Sequence, residues 1–356
     1  MASASGGPGV VGVVGAGTMG AGIAQLALEN GHEVVLHDVD EATIERGHAR
    51  VRDGLARRAA RLDMDAESIE DWVAGRLSGL RHAQTLDAVG AEAEIVFEAA
   101  LEDLELKQSI FRALDAATSA DVILATNTSA LSVTAIATAA VRRERVIGVH
   151  FFNPAPVMTL VEVVVPSAAS EPIVNRAIAL MERWGKSAIR CADTPGFIVN
   201  RVNRPFTIEA LRILEAGLAT VDEIDSAVRA GGFPMGPFEL MDFIGLDVNL
   251  AAAVAVWEGL GRPERLRPST IQRELVAAGD LGRKTGRGFY SHDQESLSPN
   301  PDVGRTPAPS TADSTAILGR IRAAIDAEAS LAVGDGVASA RDIDLALRLG
   351  AGHPER

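Results

Sequence analysis

His150 and Glu162 stand in two apolar runs, VIGVHF (146–151) and TLVEVVV (159–165). A buried strand has no use for an ionisable group unless that group is paired. Imidazole takes up or releases a proton near neutral pH, and a carboxylate beside it can hold the ring in one tautomer. If the two runs pair antiparallel about Pro156, residues whose numbers sum to 312 lie opposite each other, and 150 and 162 are such a pair. Opposed Cβ atoms are about 4.5–5.5 Å apart. Glu162 then reaches one imidazole nitrogen and leaves the other as a base. The competing reading is a buried histidine satisfied by a carboxylate for structural reasons alone.

A second constellation could hold a redox partner for such a base. GAGTMG (15–20) follows the apolar run VVGVV (10–14) and opens the helical pattern AGIAQLALENG (21–31), in which Ile23, Leu26 and Ala27 share a face and Gly31 is the stop. Gly15, Gly17 and Gly20 form a GxGxxG array, with Thr18 and Met19 between the last two. After a strand and before a helix, those glycines allow a tight turn, close approach to a pyrophosphate, and helix-on-strand packing. The helix N-terminus offers N–H groups to phosphate. Asp38 ends the next strand, HEVVLHD (32–38), where a carboxylate accepts ribose hydroxyls and repels a 2′-phosphate. The expected cofactor is therefore NAD rather than NADP. Asp40 lies past the strand end and reads as a helix N-cap. A Gly-rich turn in an unrelated α/β protein is the alternative.

These residues need a scaffold, and the pattern around them supplies one. A charged helix over about 41–62, a strand at 94–100, a helix at 101–118 and a strand at 121–129 alternate as parallel βαβ units do. After about 190 the spacing turns helical, at 202–217, 221–230 and 246–260, and LGRKTGRGFY (281–290) closes that region. The expected fold is α/β: a Rossmann-type N-terminal domain (1–190) followed by an all-helical domain (191–292). The polar, Pro-rich stretch 293–315 reads as a linker. Beyond it, RDIDLALRLGAGHP (341–354) echoes DEIDSAVRAGGFP (222–234), and Glu328-Ala329 echoes Glu209-Ala210 at an offset of 119. The tail 316–356 thus looks like a partial repeat of the helical domain that stops before a counterpart of MGPFEL (235–240). Chance similarity of two Ala-rich amphipathic helices is the other explanation.

With 356 residues and 47% hydrophobic content, the chain can bury a large core. A formal net charge of −14 argues against nonspecific nucleic-acid binding. Cys191 is the single cysteine, which excludes an internal disulfide, argues against a Cys-based metal site and fits a reducing cytoplasm. Neither a secretory signal nor a membrane-spanning run is expected.

At family level the sequence resembles the NAD-dependent L-3-hydroxyacyl-CoA dehydrogenases, of the 3-hydroxybutyryl-CoA dehydrogenase type. The matching stretches are VVGVVGAGTMGAGIAQ (10–25), TNTSALS (126–132), GVHFFNPAPVMTLVEVV (148–164), DTPGFIVNR (193–201), GGFPMGPFELMDFIGLD (231–247) and GRKTGRGFY (282–290). The resemblance implies hydride exchange between the 3-hydroxyl carbon of an acyl-CoA and NAD. It makes His150 the base and Glu162 its partner. Ser129 and Asn200 become the polar groups around the reacting oxygen, and Glu102 and Lys107 lie near the nicotinamide end. Asn200 opens the second domain, so the expected site is an interdomain cleft. Ser129 as a helix cap, Asn200 as a structural hydrogen bond, and Glu102 with Lys107 as a solvated helix face are the alternatives. Family relatives dimerise through the helical domain, which implies a homodimer; the tail could cover that surface or complete it.

Six arginines, at 46, 50, 52, 57, 58 and 61, crowd one predicted helix of an otherwise acidic chain. They suit the phosphates of CoA, or else form a solvated Arg-rich face. In the family this helix contacts CoA through a Ser and a basic residue; here Gly54 takes the Ser position and Arg61 the basic one. That departure leaves room for a carrier-protein thioester. A free hydroxy or sugar acid, and a non-enzymatic NAD-binding protein, are the remaining readings.

Overall fold

The computed structural model describes residues 9–293, 296–300, 302–303 and 313–355, and they divide into two compact units, with the boundary between Asp193 and Thr194. In the first unit β1 (Val10–Val14), α1 (Thr18–Glu29), β2 (Glu33–His37), α2 (Glu41–Ala60), α3 (Ala66–Leu77) and β3 (Leu80–His82) follow one another. Next come α4 (Leu86–Gly90), β4 (Ala93–Glu98), α5 (Leu104–Ala117), β5 (Ile123–Thr126) and α6 (Val133–Ala137). The unit closes with β6 (Val146–Phe151), β7 (Leu160–Val165), α7 (Glu171–Arg183) and β8 (Ser187–Ala192).

The sheet order is β3-β2-β1-β4-β5-β6-β7-β8. Pairing is parallel throughout except at β6–β7, so the last two strands run against the other six. The sheet reverses its order between β1 and β4, and ligands of such sheets bind outside the carboxyl ends of the strands at that point. The strands are Val- and Ile-rich because both faces are covered by helices. Asp40, Asp65, Thr85, Asp103 and Ser132 cap the helices that follow them. Asp40 thus has the capping role its position suggested, and Gly31 ends α1 at φ +82°.

Three features differ from the sequence reading. The first unit runs past 190 because β8 pairs with β7. The segments 66–90 and 171–192, which carried no assignment, hold α3, β3, α4, α7 and β8. The strand expected at 94–100 stops at Glu98, and Asp103 starts α5 later than 101.

The second unit holds α8 (Val199–Val202), α9 (Arg204–Glu215), α10 (Val221–Ala230), α11 (Pro237–Ile244), α12 (Leu246–Gly259) and α13 (Thr270–Ala278). A hairpin of β9 (Tyr290–Asp293) and β10 (Ser296–Pro299) follows, then α14 (Ser314–Gly334) and α15 (Ala340–Ala351). The presumed linker therefore begins as a strand, and most of its remainder lies outside the described residues. Two buried carboxylates organise this unit. Asp225 accepts from Phe238 N, Glu239 N and the Tyr290 hydroxyl; Asp242 accepts from Phe289 N and Tyr290 N. A Cβ on Gly236, Gly282 or Gly288 would strike one of these two residues at 2.2–2.5 Å, which gives those three glycines of MGPFEL and GRKTGRGFY a packing reason. Among the described residues, no single helix is long and apolar enough to cross a membrane.

Candidate active site

The β6–β7 hairpin brings the acid and base together. Its register pairs Gly148 with Val164, Val149 with Val163, His150 with Glu162 and Phe151 with Val161, as the alternation required. His150 Nδ1 lies 2.7 Å from Glu162 Oε2, with Glu162 fully buried and His150 nearly so. The Phe152 ring packs against the imidazole at a tilt of 54°, with centroids 4.6 Å apart. Shielding from water strengthens a charge contact that would be weak at the surface. Lys186 braces the connecting turn, donating to Ala155 O at 2.7 Å and Met158 O at 2.8 Å. Burial pushes its pKa down to about 8.

β5 lies beside β6, and the loop after it is tied to the same place. Asn127 Oδ1 accepts from Phe151 N at 2.9 Å, next to His150. Ser129 follows in an exposed position and does not cap a helix; Ser132 caps α6 instead. Glu102 Oε1 accepts from the Thr128 hydroxyl at 2.5 Å, Ser129 N at 3.0 Å and Ala130 N at 3.1 Å, which sets the Ser129 peptide. Lys107 is 1% exposed, so the solvated-face reading fails for it. Its Nζ lies 2.7 Å from Glu98 Oε1 and 3.5 Å from Glu102 Oε2. Glu98 also accepts from the Thr126 hydroxyl and from Ala100 N, each at 2.7 Å. Sequence reasoning missed Asn127, Thr126, Thr128 and Glu98. A signal existed for the last: EIVFE hides a carboxylate at the end of an apolar strand, the same anomaly that exposed Glu162.

The glycine loop fits a dinucleotide. Gly15 has φ +99°, and a Cβ there would sit 2.5 Å from Ala99 O; on Gly20 it would sit 1.7 Å from Gly15 O. Gly17 is exposed with nothing within 4 Å of a Cβ, so the approach of a ligand to the backbone is open. No side chain caps α1, which leaves its first N–H groups to a phosphate. Thr18 is exposed and Met19 half-buried on that first turn. Asp38 is held against the loop, accepting from Ala16 N and Val39 N at 2.7 Å each.

Beside this loop is a cavity of about 370 Å³ lined by Thr18, Arg50, Arg57, Arg58 and Arg61, with residues 153–157 of the β6–β7 turn on its far side. Only four of the six arginines face it; Arg46 bonds to Thr43 and Arg52 to Asp53. Gly54 lines the cavity too, and a Cβ there would meet Gln25 Oε1 at 1.9 Å, so Gln25 fills the room a larger residue would need. Asn200 lies on α8 of the second unit, half-buried, and its carbonyl accepts from Arg204 Nε at 3.3 Å. Cys191 is buried in β8, where desolvation pushes its thiol well above the ordinary range, as suits a packed apolar group.

Comparison with known proteins gives two family matches. The 3-hydroxyacyl-CoA dehydrogenase NAD binding domain matches residues 10–194, and the C-terminal domain of the same family matches residues 196–292. The 3-hydroxyadipyl-CoA dehydrogenase of Escherichia coli K12 is 45% identical over 281 residues, which are 79% of this chain and 58% of that protein. A probable 3-hydroxybutyryl-CoA dehydrogenase of Bacillus subtilis is 41% identical, with 80% of this chain and 97% of that one covered. Among solved structures, the 3-hydroxybutyryl-CoA dehydrogenase of Escherichia coli K12 superposes with a TM-score of 0.89 at 35% identity, covering 98% of this chain and 89% of that one.

Proposed function

The chain belongs to the 3-hydroxyacyl-CoA dehydrogenase family, and on that premise we propose that it interconverts an L-3-hydroxyacyl-CoA and the 3-ketoacyl-CoA, with NAD as cofactor. The buried 2.7 Å contact between His150 and Glu162, on the sheet that carries the glycine loop, is the main support. Bound NAD supplies the hydride acceptor or donor. His150 moves the proton: with Nδ1 engaged by Glu162, it takes the hydroxyl proton through Nε2 in oxidation and returns it in reduction. Glu162 stabilises the imidazolium and fixes the ring. Ser129 and Asn200 donate to the substrate oxygen as charge builds on it during reduction. Glu102 orients the Ser129 peptide, Lys107 holds Glu102, and Asp38 selects NAD over NADP. The arginine-lined cavity takes the CoA phosphates, with Arg61 among the contacts. A lone, buried cysteine accords with a reducing compartment such as the cytoplasm.

NADH oxidation against 3-ketoacyl-CoAs of increasing length, a matched carrier-protein thioester and free hydroxy or keto acids tests the proposal. Turnover of acetoacetyl-CoA is the expected result; turnover of only the carrier thioester or only free acids would reassign the substrate. In the same assay His150→Ala loses about a hundredfold or more in turnover and keeps its NADH affinity. Wild-type-like turnover in that variant removes His150 as the base.

A further inference from the structure

The arginine-lined cavity has two walls of different make. One is helix α2, which carries Arg50, Arg57, Arg58 and Arg61; the other is the β6–β7 turn, residues 153–157. A wall made from a turn keeps its place only through the bonds its backbone finds. Within the turn, Pro154 O accepts from Val157 N and Met158 N, each at 3.0 Å. The carbonyls of Ala155 and Met158 are both met by the Lys186 ammonium, at 2.7 and 2.8 Å.

The local chain delivers Lys186 to that spot. Gly185, left-handed at φ +72°, follows α7, and Lys186 N donates to Met181 O at 3.0 Å. Ser187 N then donates to Thr159 O at 2.8 Å as β8 starts beside β7. A lysine that is only 7% exposed needs a compensating charge. Burial lowers its pKa to about 8, and the negative charge of Glu29 works against that fall while Arg58 adds to it. Glu29, the last residue of α1, accepts from Gln25 Nε2 at 2.7 Å and lies 3.8 Å from Arg58 Nε. A line of alternating charge therefore runs from Arg58 on one wall, through Glu29, to Lys186 and the carbonyls of the other wall. Helix α1 closes the base: a Cβ on Gly22 would lie 3.3 Å from both Ala155 Cβ and Pro156 Cδ, so the turn rests directly on the helix.

A methionine of similar volume would fill the same space without the cost of burying an ammonium. What sets the lysine apart is the pair of bonds it makes. We propose that Lys186 is a positioning residue for the CoA end of the substrate: through Ala155 and Met158 it sets how far the turn stands from the arginine helix, and Glu29 ties that setting to Arg58. The inference rests on reading this cavity as the site of the CoA phosphates. Lys186 acts through the turn and not by contact with the reacting atoms.

Calorimetric titration of the full chain with CoA, and separately with NADH, tests this without relying on turnover. Lys186→Met removes both bonds and leaves the bulk in place. Its affinity for CoA should fall about tenfold, the scale of one lost hydrogen bond to a charged group, with NADH affinity unchanged. In the turnover assay the same variant should raise KM for acetoacetyl-CoA to a similar extent and hold kcat within about twofold, because the lost interaction is one of binding. Gly22→Ala is a second arm that decides the matter should Lys186→Met fail to fold. It presses on the same turn from α1, at a helix position where alanine is the better former, and should weaken CoA but not NADH. CoA affinity unchanged in both variants overturns the inference, as does equal weakening of CoA and NADH. An unaltered protein that binds no CoA overturns it together with the reading of the cavity. An unaltered protein that binds CoA but does not turn over acetoacetyl-CoA removes the proposed reaction alone, and the binding comparison still decides the role of Lys186.

Discussion

Glu162 on β7 and Glu98 at the end of β4 are both fully buried carboxylates in apolar strands of one sheet. Each meets a basic side chain at 2.7 Å, His150 in one case and Lys107 in the other. The difference lies in what the partner does with its proton. In the proposed reaction the imidazole exchanges a proton with the substrate, so the carboxylate beside it orients a base. Lys107 has no part in that exchange, so the carboxylate beside it is part of the frame. Glu98 is accordingly also bonded to the Thr126 hydroxyl and Ala100 N, which join β4 and β5 to the start of α5. In the proposed reaction one pair moves a proton, while the other fixes the loop that carries Ser129.

The sharpest test removes the lysine. Lys107→Met leaves Glu98 buried without a counter-charge, and urea unfolding should show a loss of about 3–5 kcal/mol. A loss below about 1 kcal/mol would mean the pair is not what holds β4, β5 and α5 together. The mirror experiment is Glu162→Gln. Turnover should fall on the order of a hundredfold, the lower end for a positioned acid–base pair, while unfolding free energy changes by under about 2 kcal/mol. Stability loss with intact turnover in that variant would erase the distinction between the two carboxylates.

A smaller effect comes from Lys186, a buried lysine whose bonds go to the carbonyls of Ala155 and Met158. Desolvation holds its folded-state pKa at about 8 against an ordinary 10.5. As pH falls, the unfolded chain takes up this proton first, so stability present above pH 10.5 is lost on the way down to pH 8. Lys186→Gln should flatten unfolding free energy across that window, and an unchanged slope would assign the titration to another group.

Much of the chemistry was legible because it is local. The glycine array and its strand–helix context lie within residues 10–31, and the His150–Glu162 register follows from a single hairpin whose side chains alternate. Spacing also carried the reading of the tail as a partial repeat. Less was visible where an element is short or weakly patterned, as with β3, whose three residues are half-buried or exposed. For Lys107 a solvated helix face stayed open beside the cofactor-side reading, because a lysine near a helix start is ordinarily solvated.

The sequence alone determined the dinucleotide loop, the pairing of His150 with Glu162 and the alternation of strand and helix around the loop, since each depends on neighbours in the chain. Only the tertiary structure decided which arginines face one cavity, that Lys107 is buried between Glu98 and Glu102, and where the tail packs. The ties around that lysine join Glu102 to Thr128 and Glu98 to Thr126, 26 and 28 positions apart, and the tail's tie joins Arg201 to Glu328, 127 apart. Separations of that size become contacts only after the helices have crossed the sheet or folded back on one another, and no periodicity in the chain records where they land.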